Sequence, residues 1–177
     1  MITRDNAFVL LNSHLKSPQL IKHSLAVALV MEHLATHFQE NPDKWYITGL
    51  LHDIDYDNTY DKPEQHGLIA MDLLKDTDIE QDMKDAILSH TGNSPINTLI
   101  DKALWVADPV TGLVIATALM TEDKRVESVK LSSLIKKFKN KNFAAGANRE
   151  QIASCESLLN IPLNDFLELS RLALTSL

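Results

Sequence analysis

Residues 49–57 read GLLHDIDYD. His52 and Asp53 stand side by side at the end of an apolar run, where burial is expected. Burying either group costs roughly several kcal/mol unless something compensates it. Such a pair can be a hydrogen-bonded structural pair, a catalytic dyad or part of a metal site. Three further histidines and one aspartate decide among these. Projected at 3.6 residues per turn, His23 shares a stripe with Leu20, Val27 and Val30, and His66 with Ile69, Ala70 and Leu73. His90 falls with Met83, Ala86 and Ile87, and Asp108 with Leu104 and Trp105. Five segments each place a His or Asp where the core should be. Scattered, unsatisfied polar groups would cost about 1–3 kcal/mol each, against a total stability of about 5–15 kcal/mol. They are tolerable where they meet.

Four imidazoles and two carboxylates at one point are most simply a metal site. Imidazole suits Fe, Zn, Ni and Cu, and carboxylates extend the range to Mn and Mg. Six protein ligands exceed what one catalytic ion with open positions needs. They suit two ions sharing a carboxylate, for which Asp53 is the candidate. His52 and Asp53 are also the candidate catalytic pair. His14, His33 and His37 fall on polar or ambiguous positions and are expected at the surface. No Gly-rich phosphate loop, GxSxG elbow or second cysteine offers another chemistry.

The elements that must position these residues read as helices throughout. No alternating apolar–polar run with hairpin signals is present, and five glycines are few for a turn-rich β fold. Ser17-Pro18 predicts an N-cap and first-turn proline opening a helix to about Phe38. Asn41-Pro42-Asp43 breaks the chain, and a shorter helix from about Lys44 leads to His52-Asp53. A loop is expected over 54–61, and a helix from Pro63-Glu64 to about Leu74. Asp78 is expected to cap a helix over 79–91, and Thr98 to Asp108 should form another that Pro109 kinks or ends. Three or four helices follow, with breaks near Lys124, near Gly146 and at Pro162. The chain is read as one helical domain over 1–177, with a metal-binding core at about 17–120 and an extension at about 121–177.

Bulk composition is that of a globular protein: 45% apolar and 23% charged. No apolar stretch approaches the roughly 20 residues of a membrane span. The formal net charge of −7 makes nucleic acid an unlikely partner. The lone Cys155 and the charges within MITRDNAFVL lead to the expectation of a cytoplasmic protein without an export signal. Charge is uneven along the chain. Residues 53–85 are rich in Asp and Glu, whereas 121–149 carry Lys124, Arg125, Lys130, Lys136, Lys137, Lys139, Lys141 and Arg149. That pattern fits a cation near the first region and an anionic group near the second, or two solvated faces. Arg149 and Lys137 are the candidate contacts to substrate phosphate.

The ordered set His23, His52-Asp53, His66, His90 and Asp108 resembles the HD-domain superfamily of metal-dependent phosphohydrolases, whose pattern is H…HD…D. The two added histidines resemble its two-metal branch. KALWVADPVTGL at 102–113 and KKFKNKNFAAGANREQI at 136–152 are similar to small bacterial HD proteins with HDIDY in place of HDIG. The resemblance implies an all-α helical bundle with one or two divalent ions (Mn, Fe, Co, Ni or Mg) between helices. It implies that His23, His52, Asp53 and Asp108 hold one ion and Asp53, His66 and His90 the other. It implies hydrolysis of a nucleotide or other small phosphorylated metabolite. Di-iron oxygenases of the same superfamily share this ligand set, and a non-catalytic nucleotide-binding module is a further alternative. The chain departs from the common pattern at Asp55, where HDIG has Gly, and at Tyr56, where many relatives have Lys.

Overall fold

The computed structural model describes residues 2–177, all-α with no strand among the described residues. Local sequence sets the helix boundaries. α1 (Arg4–His14) is capped by Thr3, whose hydroxyl accepts from Asn6 N–H. α2 (Pro18–Phe38) starts at the Ser17 cap with Pro18 in its first turn, and stops at Gln39 in the left-handed conformation, φ 60°. α3 (Pro42–Leu51) repeats the device with Asn41 and Pro42. The first start agrees with the sequence reading; the second lies two residues before the expected Lys44, because Asn41 and Pro42 open the helix as well as ending the preceding break.

Three expected boundaries move. The loop expected over 54–61 contains a short helix, α4 (Tyr56–Thr59). The helix expected from Pro63 to Leu74 is broken: Pro63–Gln65 makes one 3-10 turn, His66 is extended, and Gly67 turns left-handed at φ 81°. Only then does α5 (Leu68–Leu74) begin. Gly67 is required by space as well as by φ, since a Cβ there would lie 2.9 Å from Thr91 Cγ2. The phase that placed His66 on a helical stripe was therefore fortuitous. Asp78 does not cap α6 (Gln81–Ser89), which begins after Glu80 with no side-chain cap.

A fourth correction concerns α7 (Leu99–Ala118), which opens on a Thr98–Asp101 capping box and does not end at Pro109 but continues past it. Proline cannot donate to the carbonyl four residues back, which leaves Trp105 O orphaned. Gln151 Nε2 donates to that carbonyl at 2.7 Å, supplying the missing bond from a distant segment. Asp108 thus sits inside a continuous helix rather than at its end.

α2, α3, α6 and α7 pack on one another, and each carries or ends in one of the chemistry-bearing residues. α2 and α3 come so close that a Cβ on Gly49 would meet Ala28 Cα at 2.9 Å. The absent side chain at Gly49 lets the end of α3 lie flat on α2, one turn before His52. Val27, Val30, Leu104, Val106 and Phe166 belong to one apolar cluster, which takes in α8 (Leu131–Lys139), α9 (Arg149–Ala153), α10 (Cys155–Leu159) and α11 (Leu163–Ala173). Ala28, Leu50, Leu51, Met83 and Ile87 belong to a second. No helix is long and apolar enough to cross a membrane among the described residues.

Candidate metal centre

His52 and His90 occupy equivalent places, each directly after the last residue of a helix. The last carbonyls of a helix lack intrahelical partners. His52 Nδ1 donates to Gly49 O at 2.8 Å, and His90 Nδ1 to Ile87 O at 2.6 Å. The side chains satisfy the helix ends and are aimed by them. His23 is reached differently. The Thr111 hydroxyl spends its one proton on Asp108 O at 2.9 Å, so at 3.3 Å it accepts from His23 Nδ1. His66 Nδ1 donates to Asp55 Oδ1 at 2.9 Å.

In all four rings Nδ1 faces an acceptor, so each ring, when neutral, keeps its lone pair on Nε2. The four Nε2 atoms converge on Asp53. On its Oδ2 side stand His52 at 3.3 Å and His23 at 3.7 Å, and Asp108 Oδ1 lies 3.0 Å from His23 Nε2 and 3.8 Å from His52 Nε2. On its Oδ1 side stand His66 at 3.2 Å and His90 at 3.4 Å. The donor atoms of His23, His52 and Asp108 all lie within 4.8 Å of one another, as do those of His52, Asp53 and His90.

The donor set fits divalent ions on an observation independent of any pattern. His52 Nε2 is fully buried and has no hydrogen-bond partner. In the neutral ring a buried lone pair without a donor costs about 1–3 kcal/mol, and a cation, metal ion or proton, removes that cost. Electrostatics point the same way. Burial pushes the His52 imidazolium down, but the Asp53 charge, with Asp108 and the Gly49 carbonyl, outweighs it and raises the pKa to about 9. Burial opposes His66 too, and Asp53 and Asp55 raise it to about 9. Burial pushes the Asp53 carboxyl up, while His52, His66 and His90 hold it well below the usual carboxylate range. Asp108 is lowered against its burial chiefly by His23. The site is built to hold positive charge, and protons compete there with metal.

A cavity of about 330 Å³ opens onto the cluster, and its wall includes His23, Asp53, His66, His90 and Asp108, with Tyr56, Leu20 and Thr91. No Lys or Arg lines it among the described residues. The structure brings neither Arg149 nor Lys137, the expected phosphate contacts, to this wall. The Arg149 guanidinium donates to the backbone carbonyls of Lys137, Phe138, Asn140, Phe143, Ala144 and Ala147. Its donors are consumed in closing the turn after α8, and no carboxylate pairs with it among the described residues. Lys137 Nζ lies over the Phe143 ring, 4.2 Å from its centroid. His33 and His37 are exposed and His14 is half-buried, and none joins the cluster.

Asp55 is the residue that sequence reasoning missed. It is fully buried and accepts from His66 Nδ1, from Gly67 N at 2.8 Å and from Ala70 N at 3.0 Å. The available signal was the carboxylate standing where the common pattern has glycine.

A family model described as HD domain matches residues 20–132, more than half of the chain, and that span contains every residue of the cluster. No curated protein and no solved structure matches the chain.

Proposed function

The chain belongs to the HD domain family, and from that premise we propose that it is a metal-dependent phosphohydrolase acting on a small phosphorylated metabolite such as a nucleotide. In this reading His23, His52, Asp53 and Asp108 hold one divalent ion, and Asp53, His66 and His90 hold a second. HD domains bind divalent metals and are mostly metal-dependent hydrolases; the phosphoester, the two-ion count and the residue assignments are proposals. The observation that carries them is the convergence of four Nε2 lone pairs on the two oxygens of one buried carboxylate.

Divalent ions held there would supply Lewis acidity, lowering the pKa of water and polarising a phosphoryl oxygen. The chain's own residues do the rest. Gly49 O, Ile87 O, Thr111 and Asp55 fix each ring so that its lone pair, not its proton, faces inward. Asp53 and Asp108 would offset part of the charge of the ions. Tyr56, at the wall of the cavity, offers a hydroxyl donor to the substrate, whereas the Thr91 hydroxyl gives its proton to Leu88 O at 2.8 Å and can only accept. With no Lys or Arg lining the cavity among the described residues, the chain brings no fixed cation to the phosphate, and activity should depend wholly on metal.

The test is elemental analysis of the purified protein, followed by a screen of phosphorylated metabolites with Mn²⁺, Fe²⁺, Co²⁺, Ni²⁺ and Mg²⁺. Release of inorganic phosphate or a phosphomonoester without oxygen uptake supports the reading. Oxygen consumption by the iron-loaded protein without phosphate release overturns it in favour of oxygenase chemistry. Metal uptake with ligand binding and no turnover overturns it in favour of a binding module.

A further inference from the structure

His66 differs from the other three histidines in what holds it. His23, His52 and His90 direct Nδ1 to a hydroxyl or carbonyl of a helix that packs in the core. His66 lies in an extended turn between a 3-10 turn and α5, and its Nδ1 faces a carboxylate eleven residues earlier. That carboxylate has no exposed surface. Its Oδ2 takes the backbone N–H groups of Gly67 and Ala70, and its Oδ1 takes the imidazole. An ionised carboxylate can only accept, so the neutral His66 ring must place its proton on Nδ1 and present Nε2 as a lone pair. We propose that Asp55 is a positioning residue that sets the tautomer of His66 and thereby determines whether the Oδ1 side of Asp53 can take up its divalent ion. This inference rests on the metal-centre reading above and extends it to a residue outside the ligand set.

The chemistry of the isosteric amide separates this role from simple packing. In Asp55→Asn, the amide oxygen can still accept from Gly67 and Ala70, so the turn stays pinned. The amide nitrogen then faces His66 Nδ1 as a donor, and the ring must answer by accepting there and carrying its proton on Nε2. That proton points at the ion. Asp55→Glu keeps the acceptor-only chemistry at the expense of packing. A structural role ranks Asn above Glu, and a tautomer-setting role ranks Glu above Asn.

The experiment is calorimetric titration of chelator-stripped protein with Mn²⁺ and with Zn²⁺, alongside melting curves, for wild type, Asp55→Asn and Asp55→Glu. Partners that orient a ligating histidine typically contribute about 10–100-fold in metal affinity. The expected result is two ions in wild type, with Asp55→Asn weakened about 10–100-fold at one site and unchanged at the other. Asp55→Glu should lie closer to wild type at the affected site, whatever its melting temperature. Two sites of wild-type affinity in Asp55→Asn overturn the inference alone. So does a weaker second site in Asp55→Glu than in Asp55→Asn. If only one variant folds, its second-site affinity still decides: loss in Asn or retention in Glu supports the role, and the reverse overturns it. A wild-type chain that binds no divalent ion overturns the metal-centre reading and this inference with it.

Discussion

On the Oδ2 side of Asp53 the candidate ligands stand on long or tightly seated elements: His23 in 21-residue α2, Asp108 in 20-residue α7 and His52 at the end of α3. On the Oδ1 side they stand on short ones: His90 ends nine-residue α6, and His66 is not in a helix at all. The first set cannot move without unpacking α2 and α7, whose apolar faces join the largest cluster of the core. The second set depends on local hydrogen bonds. Asp55 holds the His66 ring, Asn93 Nδ2 donates to His66 O at 2.8 Å, and Gly67 makes the turn possible. One half of the site is a by-product of the fold, and the other is assembled on it. The two halves should therefore differ in affinity and in tolerance to substitution.

The largest effect should come from the residue the halves share. Asp53→Ala removes the carboxylate that faces both, and we expect loss of both ions and of turnover. Elemental analysis of the purified variant checks it. Two ions retained in Asp53→Ala would remove the shared-carboxylate reading and, with it, the comparison. Chelation of wild type comes next. A ligand at 100 times its dissociation constant stabilises by about 2.7 kcal/mol. For a chain of this size that is a melting shift of roughly 5–10 °C. Identical melting before and after chelator treatment, in a protein shown to carry metal, would sink the claim that the ions help hold these helices together.

His66→Ala touches one half only. It should cost one ion of two and leave the Oδ2-side ion at wild-type affinity, whereas His23→Ala should weaken the ion on the core-helix side. If His66→Ala empties both positions, the halves are not separable. Protons should affect both halves alike. His52 and His66 each hold a proton up to about pH 9 in the metal-free chain, and each must release it for an ion to bind. Apparent affinity should rise by up to about tenfold per pH unit per histidine as pH approaches 9, then level off. Titrations at pH 6, 7, 8 and 9 at fixed ionic strength test the slope. Constant affinity over that range would mean these rings are not the ligands.

The helices that position the Oδ2 side could be read from the chain, because Ser17-Pro18 and Asn41-Pro42 are local signals acting within one turn. The Oδ1 side was less legible for the reason that makes it conditional. His66 matched a helical phase, yet its place is set by a left-handed glycine and by a carboxylate eleven residues away. Pro109 misled in the same way, since the group that rescues its helix, Gln151, lies 42 residues further on. Periodicity reports which face an element buries. It does not report which distant side chain will satisfy a stranded donor or acceptor.

The smallest effects should come from the basic segment, and they test whether it belongs to the site at all. Arg149 and Lys137 carry the same charge in the sequence, but only the first is engaged by the fold. Six backbone carbonyls accept from Arg149, and a planar fork of five N–H groups suits that arrangement where an ammonium would not. Arg149→Ala strands those carbonyls, some of which water can reach, so we expect a loss of about 1–3 kcal/mol in stability, with metal content and Michaelis constant unchanged. Arg149→Lys should recover little of it. Lys137 lies against the Phe143 ring near the surface, and charge reversal there should change stability by less than about 0.5 kcal/mol. Any effect of Lys137→Glu on turnover should be slight and should fade with salt, since exposed charges are screened within about 10 Å at roughly 0.1 M. A raised Michaelis constant in Arg149→Ala at unchanged stability would reverse this assignment and return the guanidinium to the substrate.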